Sequence, residues 1–299
     1  MARRPGAPDA VPGAPDSEAR RPNEPGDFSV LMPVYWRDQP GQVEAAFRSV
    51  TEAQELPPAQ VVVVRDGPVG PALASVLDRF ARTDGVSVVA LPTNGGLARA
   101  LNAGLAACRF DVVARQDADD LSVPSRFASM APLAQSGRFD LVGSAVREFV
   151  DDAAPLAGQA RHGRVRSYPL TSAEIWRAAK MMNPFAHPSV VMRRSVVLGA
   201  GGYREFFHLE DYDLWVRLLQ AGAAVANLPE PLVDYRVSAA GWRRRGGLRT
   251  LRAELALQHA FLDSGFIDRA EWLRNVAVRG GLELAPPALL RLALNRVWS

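Results

Sequence analysis

The run Val61-Val62-Val63-Val64 constrains the fold more than any other stretch of the chain. Four consecutive β-branched residues offer no polar face, so a strand made of them reads as buried on both sides, as in parallel sheets. It ends at once in Asp66-Gly67-Pro68, a turn signal. The same grammar recurs. Phe28 to Val34 is an apolar run with Pro33 near its end, followed by the aromatic pair Tyr35-Trp36; Val86 to Leu91 and Asp111 to Ala114 are further strands. Between them lie segments of helical spacing: Gln42 to Thr51 (Val43, Ala46, Phe47, Val50), Ala72 to Ala81 (Leu73, Val76, Leu77, Phe80) and Leu97 to Cys108 (Leu101, Leu105). Strands alternating with helices of about ten residues predict an α/β fold, with a mostly parallel central sheet flanked by helices.

A chain of 299 residues, 48% of them hydrophobic, can bury one large core, or one core and an appendage. Residues 1–26 are the exception. They are rich in Pro, Gly, Ala, Arg and Asp and read as a disordered tail, with no apolar stretch of the secretory kind. No run of eighteen apolar residues occurs, so no membrane-spanning helix is expected. Cys108 is the single cysteine; it reads as a buried structural thiol and fits a reducing cytoplasm. With four His and no Cys-x-x-Cys, a zinc site is not expected. The net charge of +3 permits contact with phosphate or anionic lipid without requiring it, and no nucleic-acid partner is expected.

Ligands of open α/β sheets bind beyond the carboxyl ends of the strands. The residues that follow the strands here are Pro33-Val34-Tyr35, Asp66-Gly67, Thr93-Asn94-Gly95-Gly96 and Asp117-Ala118-Asp119-Asp120. Polar and glycine-rich residues fall repeatedly where a nucleotide would sit. Three carboxylates within four residues repel one another unless a cation joins them, and a divalent ion with oxygen ligands is the natural partner. An acidic turn in which Asp120 or Ser122 caps the next helix accounts for the same residues equally well.

The string Arg115-Gln116-Asp117-Ala118-Asp119-Asp120-Leu121-Ser122-Val123-Pro124-Ser125-Arg126-Phe127 resembles the Arg-x-Asp-Ala-Asp-Asp-x-x-x-Pro-x-Arg-Phe signature of family 2 glycosyltransferases. Val30 to Tyr35, Asp66-Gly67-Pro68, Asn94 to Leu105, Asp140 to Ser144, Asn183 to Pro188, Gly201-Gly202-Tyr203 and Glu210 to Trp215 extend the likeness in order over residues 28–237. It is nearest the non-processive branch that builds bacterial exopolysaccharides and surface glycans, and the processive signature Gln-x-x-Arg-Trp is absent. The resemblance implies a GT-A fold and inverting transfer of one sugar from a nucleoside-diphosphate sugar to a hydroxyl of a glycan or lipid-linked acceptor. It implies Pro33, Tyr35, Asp66, Asn94, Arg99 and Asp117 as the nucleotide side, and Asp119 with Asp117 as ligands for Mn2+ or Mg2+. It also makes Asp211 the base, with Glu210 beside it to orient the acceptor. Arg65 and Gln116 depart from the family pattern, where a second acid and a Met are common. A nucleotidyltransferase would instead show an early basic glycine-rich loop, and a non-catalytic nucleotide-sugar-binding relative would have lost Asp66, Asp119 or Asp211.

Without the resemblance, Glu210, Asp211 and Asp213 read as ordinary acids of a helix N-terminus. His187, before Pro188, suits a structural role as well as a metal or acceptor contact, and His208 could pair with Asp211. Val196 to Tyr203 lacks the third glycine of a dinucleotide fingerprint, so Gly201 and Gly202 read as a tight turn. Residues 151–166 read as a solvated polar loop or a lid, and Arg243-Arg244-Arg245 as surface charge or a phosphate or membrane contact. The expected organisation is a tail at 1–26, a GT-A domain at 27–240 and a C-terminal helical extension at 241–299 that caps the acceptor side. Two helical segments are expected there, around Leu251 to His259 and Leu289 to Leu294. The expected location is cytoplasmic, at most peripheral to the inner face of the membrane through the basic C-terminal region.

Overall fold

The computed structural model describes residues 27–150, 163–237 and 248–284. The first half alternates as expected: β1 (Ser29–Tyr35), α1 (Pro40–Val50), β2 (Gln60–Asp66), α2 (Pro71–Phe80), β3 (Val86–Ala90), α3 (Leu97–Ala107) and β4 (Val112–Arg115). Then come β5 (Leu121–Ser122), α4 (Arg126–Gln135), β6 (Leu141–Phe149), β7 (Arg164–Arg166), α5 (Ser172–Ala179), β8 (Val191–Arg193), α6 (Arg194–Gly199), α7 (Glu210–Gln220) and β9 (Val225–Arg236). Two helices follow, here α8 (Leu248–Asp263) and α9 (Arg269–Leu284).

The strands form one sheet in the order β3-β2-β1-β4-β8-β6-β9-β5, with β7 on β6. Strands β1 to β4 pair in parallel, with Tyr35 opposite Asp66 and Leu31 opposite Arg115. The other half is mixed. β8 runs antiparallel to both β4 and β6, β9 runs parallel to β6, and β5 is antiparallel to β9. The parallel half follows from the alternation of strand and helix; the mixed half is set by longer-range pairing that periodicity does not reveal.

The valine run does what its composition requires. Val62 and Val64 bury against α3 on one face, beside Leu101 and Leu105. Val61 and Val63 bury on the other, with Val43 and Phe47 of α1 and Leu73, Val76 and Leu77 of α2. Cys108 is buried with the first group, which pushes its thiol up to about 12. Leu257 and Phe261 of α8, with Phe266 and Ile267 of the α8–α9 turn, join the same cluster as Trp215 and Leu218 of α7. The two C-terminal helices therefore share the core of the sheet rather than forming a core of their own.

Two readings differ from expectation. The acidic stretch after β4 does not cap α4, whose preceding residue is Ser125 and makes no side-chain cap. Arg164–Arg166, read as part of a polar loop, is instead a short strand on β6, and Arg166 is ion-paired with Glu148. The tail at 1–26, residues 151–162, the basic triplet Arg243 to Arg245, the boundary near residue 240 and the segment around Leu289 to Leu294 lie outside the described residues.

Candidate active site

β1, β2 and β4 bring their carboxyl ends to one edge of the sheet. At the end of β2, the Asp66 carboxylate accepts hydrogen bonds from Gly95 N (2.7 Å), Gly96 N (2.9 Å) and Asn94 Nδ2 (3.0 Å). It thereby holds the loop 94–96 onto the strand ends. Gly67 makes this possible: its φ is +84°, and a side chain there would collide with the Asn94 backbone. Arg99 is exposed, and its side chain lies across Gly95. Pro33 is buried within β1, and Tyr35 sits beside Asp66 at the strand ends. Tyr35, Asp66, Asn94 and Arg99 thus lie along this edge, with Pro33 buried two residues inside it, and the Asp66 carboxylate is already engaged by the loop.

Beyond β4, single carboxylate oxygens of Asp117, Asp119 and Asp120 lie within 4.8 Å of one another. Their surroundings differ. Asp117 is ion-paired with the buried Arg115. Asp120 is buried; its Oδ1 accepts from Arg236 N (2.7 Å), while Oδ2 has no hydrogen-bond partner. Burial and the charge of Asp117 push the Asp119 carboxyl up to about 6, and burial with both neighbours holds Asp120 well above the carboxylate range. An all-oxygen donor set, mutual repulsion and an unpartnered buried oxygen fit a hard divalent cation.

The loop owes its shape to Gln116 and Arg126, both fully buried. Gln116 Nε2 donates to the carbonyls of Asp117 (3.0 Å) and Asp120 (2.8 Å). Arg126 donates to Gln116 Oε1 (2.7 Å), Ser122 Oγ (2.7 Å), Arg115 O (2.7 Å) and Pro188 O (2.8 Å). Ser122 Oγ donates to Gln116 Oε1 as well (2.8 Å). The residues that could have capped a helix instead build the acidic loop.

The second cluster opens α7. Asp211 Oδ2 accepts from Asn183 Nδ2 (2.7 Å), and its Oδ1 from Tyr212 N (2.8 Å). Burial raises its pKa, against these bonds and the nearby Arg115. Glu210 is pushed up to about 7 by burial and by Asp211. Asp213 has a different job. It pairs with Arg217, which also donates to Gly202 O (2.7 Å) and so braces the turn at Gly201 and Gly202. That turn requires glycine at Gly202, where φ is +67° and Asn102 closes against the backbone. His208, just before α7, has φ +60°, a strained value for a non-glycine residue of the kind that gathers at functional sites.

His187 is half-buried against Trp215 and Tyr203, its Nε2 3.0 Å from the Tyr203 hydroxyl. Burial and then Arg115 hold its pKa well below the usual value, so the ring is neutral. Its observed partner is the tyrosine. Two contributors escaped the sequence reading. Asp38, three residues past β1, folds back to accept from Tyr35 N (2.8 Å); burial, with the charges of Asp119 and Asp117, pushes it up to about 7. Its place at the same sheet edge was the available signal. Arg115 was visible only as a motif letter, yet its charge reaches Asp117, Glu210, Asp211 and His187.

Residues 29–199, more than half the chain, match the family model described as Glycosyl transferase family 2. The chain is a family 2 glycosyltransferase. Among relatives of this glycosyltransferase, the amylovoran biosynthesis glycosyltransferase AmsE of Erwinia amylovora is 37% identical over 246 residues, 80% of this chain and 88% of that protein. The UDP-Gal:alpha-D-GlcNAc-diphosphoundecaprenol beta-1,3-galactosyltransferase of Escherichia coli is 31% identical over 260 residues, 87% and 92% of the two chains. In fold, the glycosyltransferase is similar to the mannosyltransferase PcManGT of Pyrobaculum calidifontis, solved with GDP-Man and Mn2+. That match has a TM-score of 0.62 and 17% identity, over 94% of this chain and 77% of the other. It is also similar to TarS of S. aureus, solved with UDP-GlcNAc, at a TM-score of 0.60 and 15% identity, over 84% and 70%. The fold is GT-A. The family match ends before Glu210, so the second acidic cluster rests on geometry.

Proposed function

We propose that this glycosyltransferase moves one sugar, with inversion, from a nucleoside-diphosphate sugar to a hydroxyl of a glycan or lipid-linked glycan. The observation that supports this reading most is that one buried cation, Arg115, is ion-paired with Asp117 of the first cluster while its charge also reaches Glu210 and Asp211 of the second. Pro33, Tyr35, Asn94 and Arg99 line the nucleotide side, with Asp66 acting through the loop it holds. Asp119, with the free side of Asp117, would hold Mn2+ or Mg2+. A bound ion there would supply positive charge to the departing diphosphate.

Asp211 takes the proton of the acceptor hydroxyl as its oxygen bonds to the anomeric carbon. The bond from that carbon to the diphosphate breaks on the opposite face, and the diphosphate leaves with the electron pair. Glu210 orients the acceptor. Among the described residues no helix is long and apolar enough to cross a membrane. The relatives, one named for amylovoran biosynthesis and one for transfer to a diphosphoundecaprenol-linked sugar, support the glycan or lipid-linked acceptor class. Thermal melts with UDP- and GDP-sugars, each with Mn2+ or Mg2+, test the donor assignment. A rise with one nucleotide class that needs the ion and is lost in Asp119→Ala is the expected result; no rise with any pair would refute it.

A further inference from the structure

We propose that the α8–α9 hairpin positions the catalytic carboxylate: α9 grips the loop 180–183, and Asn183 at the end of that loop fixes Asp211. The catalytic consequence rests on Asp211 being the base; the mechanical linkage does not. The contacts form an unbroken chain. Buried Asn275 of α9 donates through Nδ2 to Lys180 O (2.7 Å) and to Gln258 Oε1 of α8 (2.9 Å). One turn further on, Arg279 donates to Met181 O (2.6 Å). Lys180 Nζ reaches both oxygens of Glu271 (2.8 and 3.0 Å). Two consecutive backbone carbonyls and one ammonium of the loop are therefore held by a single helix.

Two residues past Met181, Asn183 accepts from Phe185 N through Oδ1 (3.3 Å), which turns its amide nitrogen toward Asp211 Oδ2 at 2.7 Å. The hairpin also reaches the base from its other flank. Tyr212, next to Asp211, donates to Ala179 O (2.7 Å) and packs edge-on against Phe261 of α8. Asp211 is thus set between a donor whose loop is pinned by α9 and a neighbour whose ring lies on α8. Asn183 is a positioning residue: it acts through Asp211.

An amide donor favours the ionised carboxylate, the form a base must have. It works against burial and against Glu210 on the same helix. The other groups facing Asp211 are Arg115 from β4, Tyr168 from the β7–α5 connection, Tyr203 beyond α6, and Tyr212. None of the tyrosine side chains is ionised near neutrality, so the charge is stabilised by Asn183, the backbone N–H groups of Tyr212 and Asp211, and Arg115.

The test uses the full chain, following the Asp211 side-chain carboxyl by 13C NMR through a pH titration in wild type, Asn183→Ala and the double variant Asn275→Ala/Arg279→Ala. Amide exchange of residues 180–185 is measured alongside. Asn183→Ala is expected to raise the Asp211 midpoint by about one pH unit. The double variant should move it the same way by less, with faster exchange in the loop. An unmoved midpoint in Asn183→Ala overturns the positioning role. Faster exchange with an unmoved midpoint in the double variant overturns the linkage to the hairpin. If Asn183→Ala does not fold, the double variant, which leaves Asn183 intact, carries the test. The titration needs neither donor nor acceptor, so it stands or falls separately from the turnover experiments on Asp211.

Discussion

Arg126 gives its guanidinium to neutral oxygens: an amide, a hydroxyl and two backbone carbonyls, all deep in the protein. Burial and nearby Arg115 pull its pKa down to about 9, so the charge is tolerated rather than paired. Its value lies in shape. Arg126→Met should cost about 3 kcal/mol or more in urea unfolding, since two buried carbonyls lose their donor, and should weaken divalent-ion binding measured by calorimetry. At the other cluster, Asp211→Asn keeps the size of the side chain and removes the base. Transfer should fall by roughly 100- to 10,000-fold while the affinity for nucleotide changes little; full activity would remove Asp211 from the mechanism. Glu210 offers a pH-resolved check. Its folded pKa of about 7 stands above the ordinary 4.5, so the folded state holds the proton more tightly and stability is lost as pH rises from 4.5 to 7. Glu210→Gln should therefore melt like wild type near pH 4.5, gain on it steadily up to pH 7, and keep a constant lead above that.

Elements differ in how far their residues announce them. The parallel strands and their helices could be read because each carries its own period and ends in its own turn residues. β7, with only three residues at Arg164–Arg166, has no period to read, and β8 is similarly short. The acidic loop could be located but not understood, because its scaffold joins Gln116, Ser122, Arg126 and Pro188 across as many as 62 positions of sequence separation. The same is true of Asp211. Its motif marked it, but the partner that orients it, Asn183, is 28 residues away, and the grip on that partner comes from α9. Asp213, one turn-start acid among three, turned out to brace the Gly202 turn through Arg217. The C-terminal helices, expected as an extension capping the acceptor side, carry a contact that their own pattern does not announce: Phe261 is buried between Tyr212 and Phe266. Phe261→Ala should cost about 3–5 kcal/mol in denaturant unfolding, with one cooperative transition for the whole chain. A separate early transition for the hairpin would contradict a shared core.

At the scale of the molecule, the sheet and the hairpin enclose an edge crowded with carboxyl groups, several of which are held above their usual pKa. A ligand that brings a cation and a diphosphate to this edge should stabilise the fold visibly. At one hundred times its dissociation constant it adds about 2.7 kcal/mol, which for a chain of this size is a rise of roughly 4 °C in melting temperature. Differential scanning fluorimetry of the donor panel reads a shift of that size directly, and a mismatched nucleotide should give less. The hairpin's seat offers a different handle. Lys180 is the sole lysine of the chain, and its Nζ is tied to Glu271 across the junction between loop and α9. An amine-directed reagent thus meets two nucleophiles, the chain's amino terminus and this one side chain. Acylation at Lys180 must wait for the ion pair to open, so peptide mapping of the labelled protein over time becomes a clock for the undocking of α9, set by nature at a single residue.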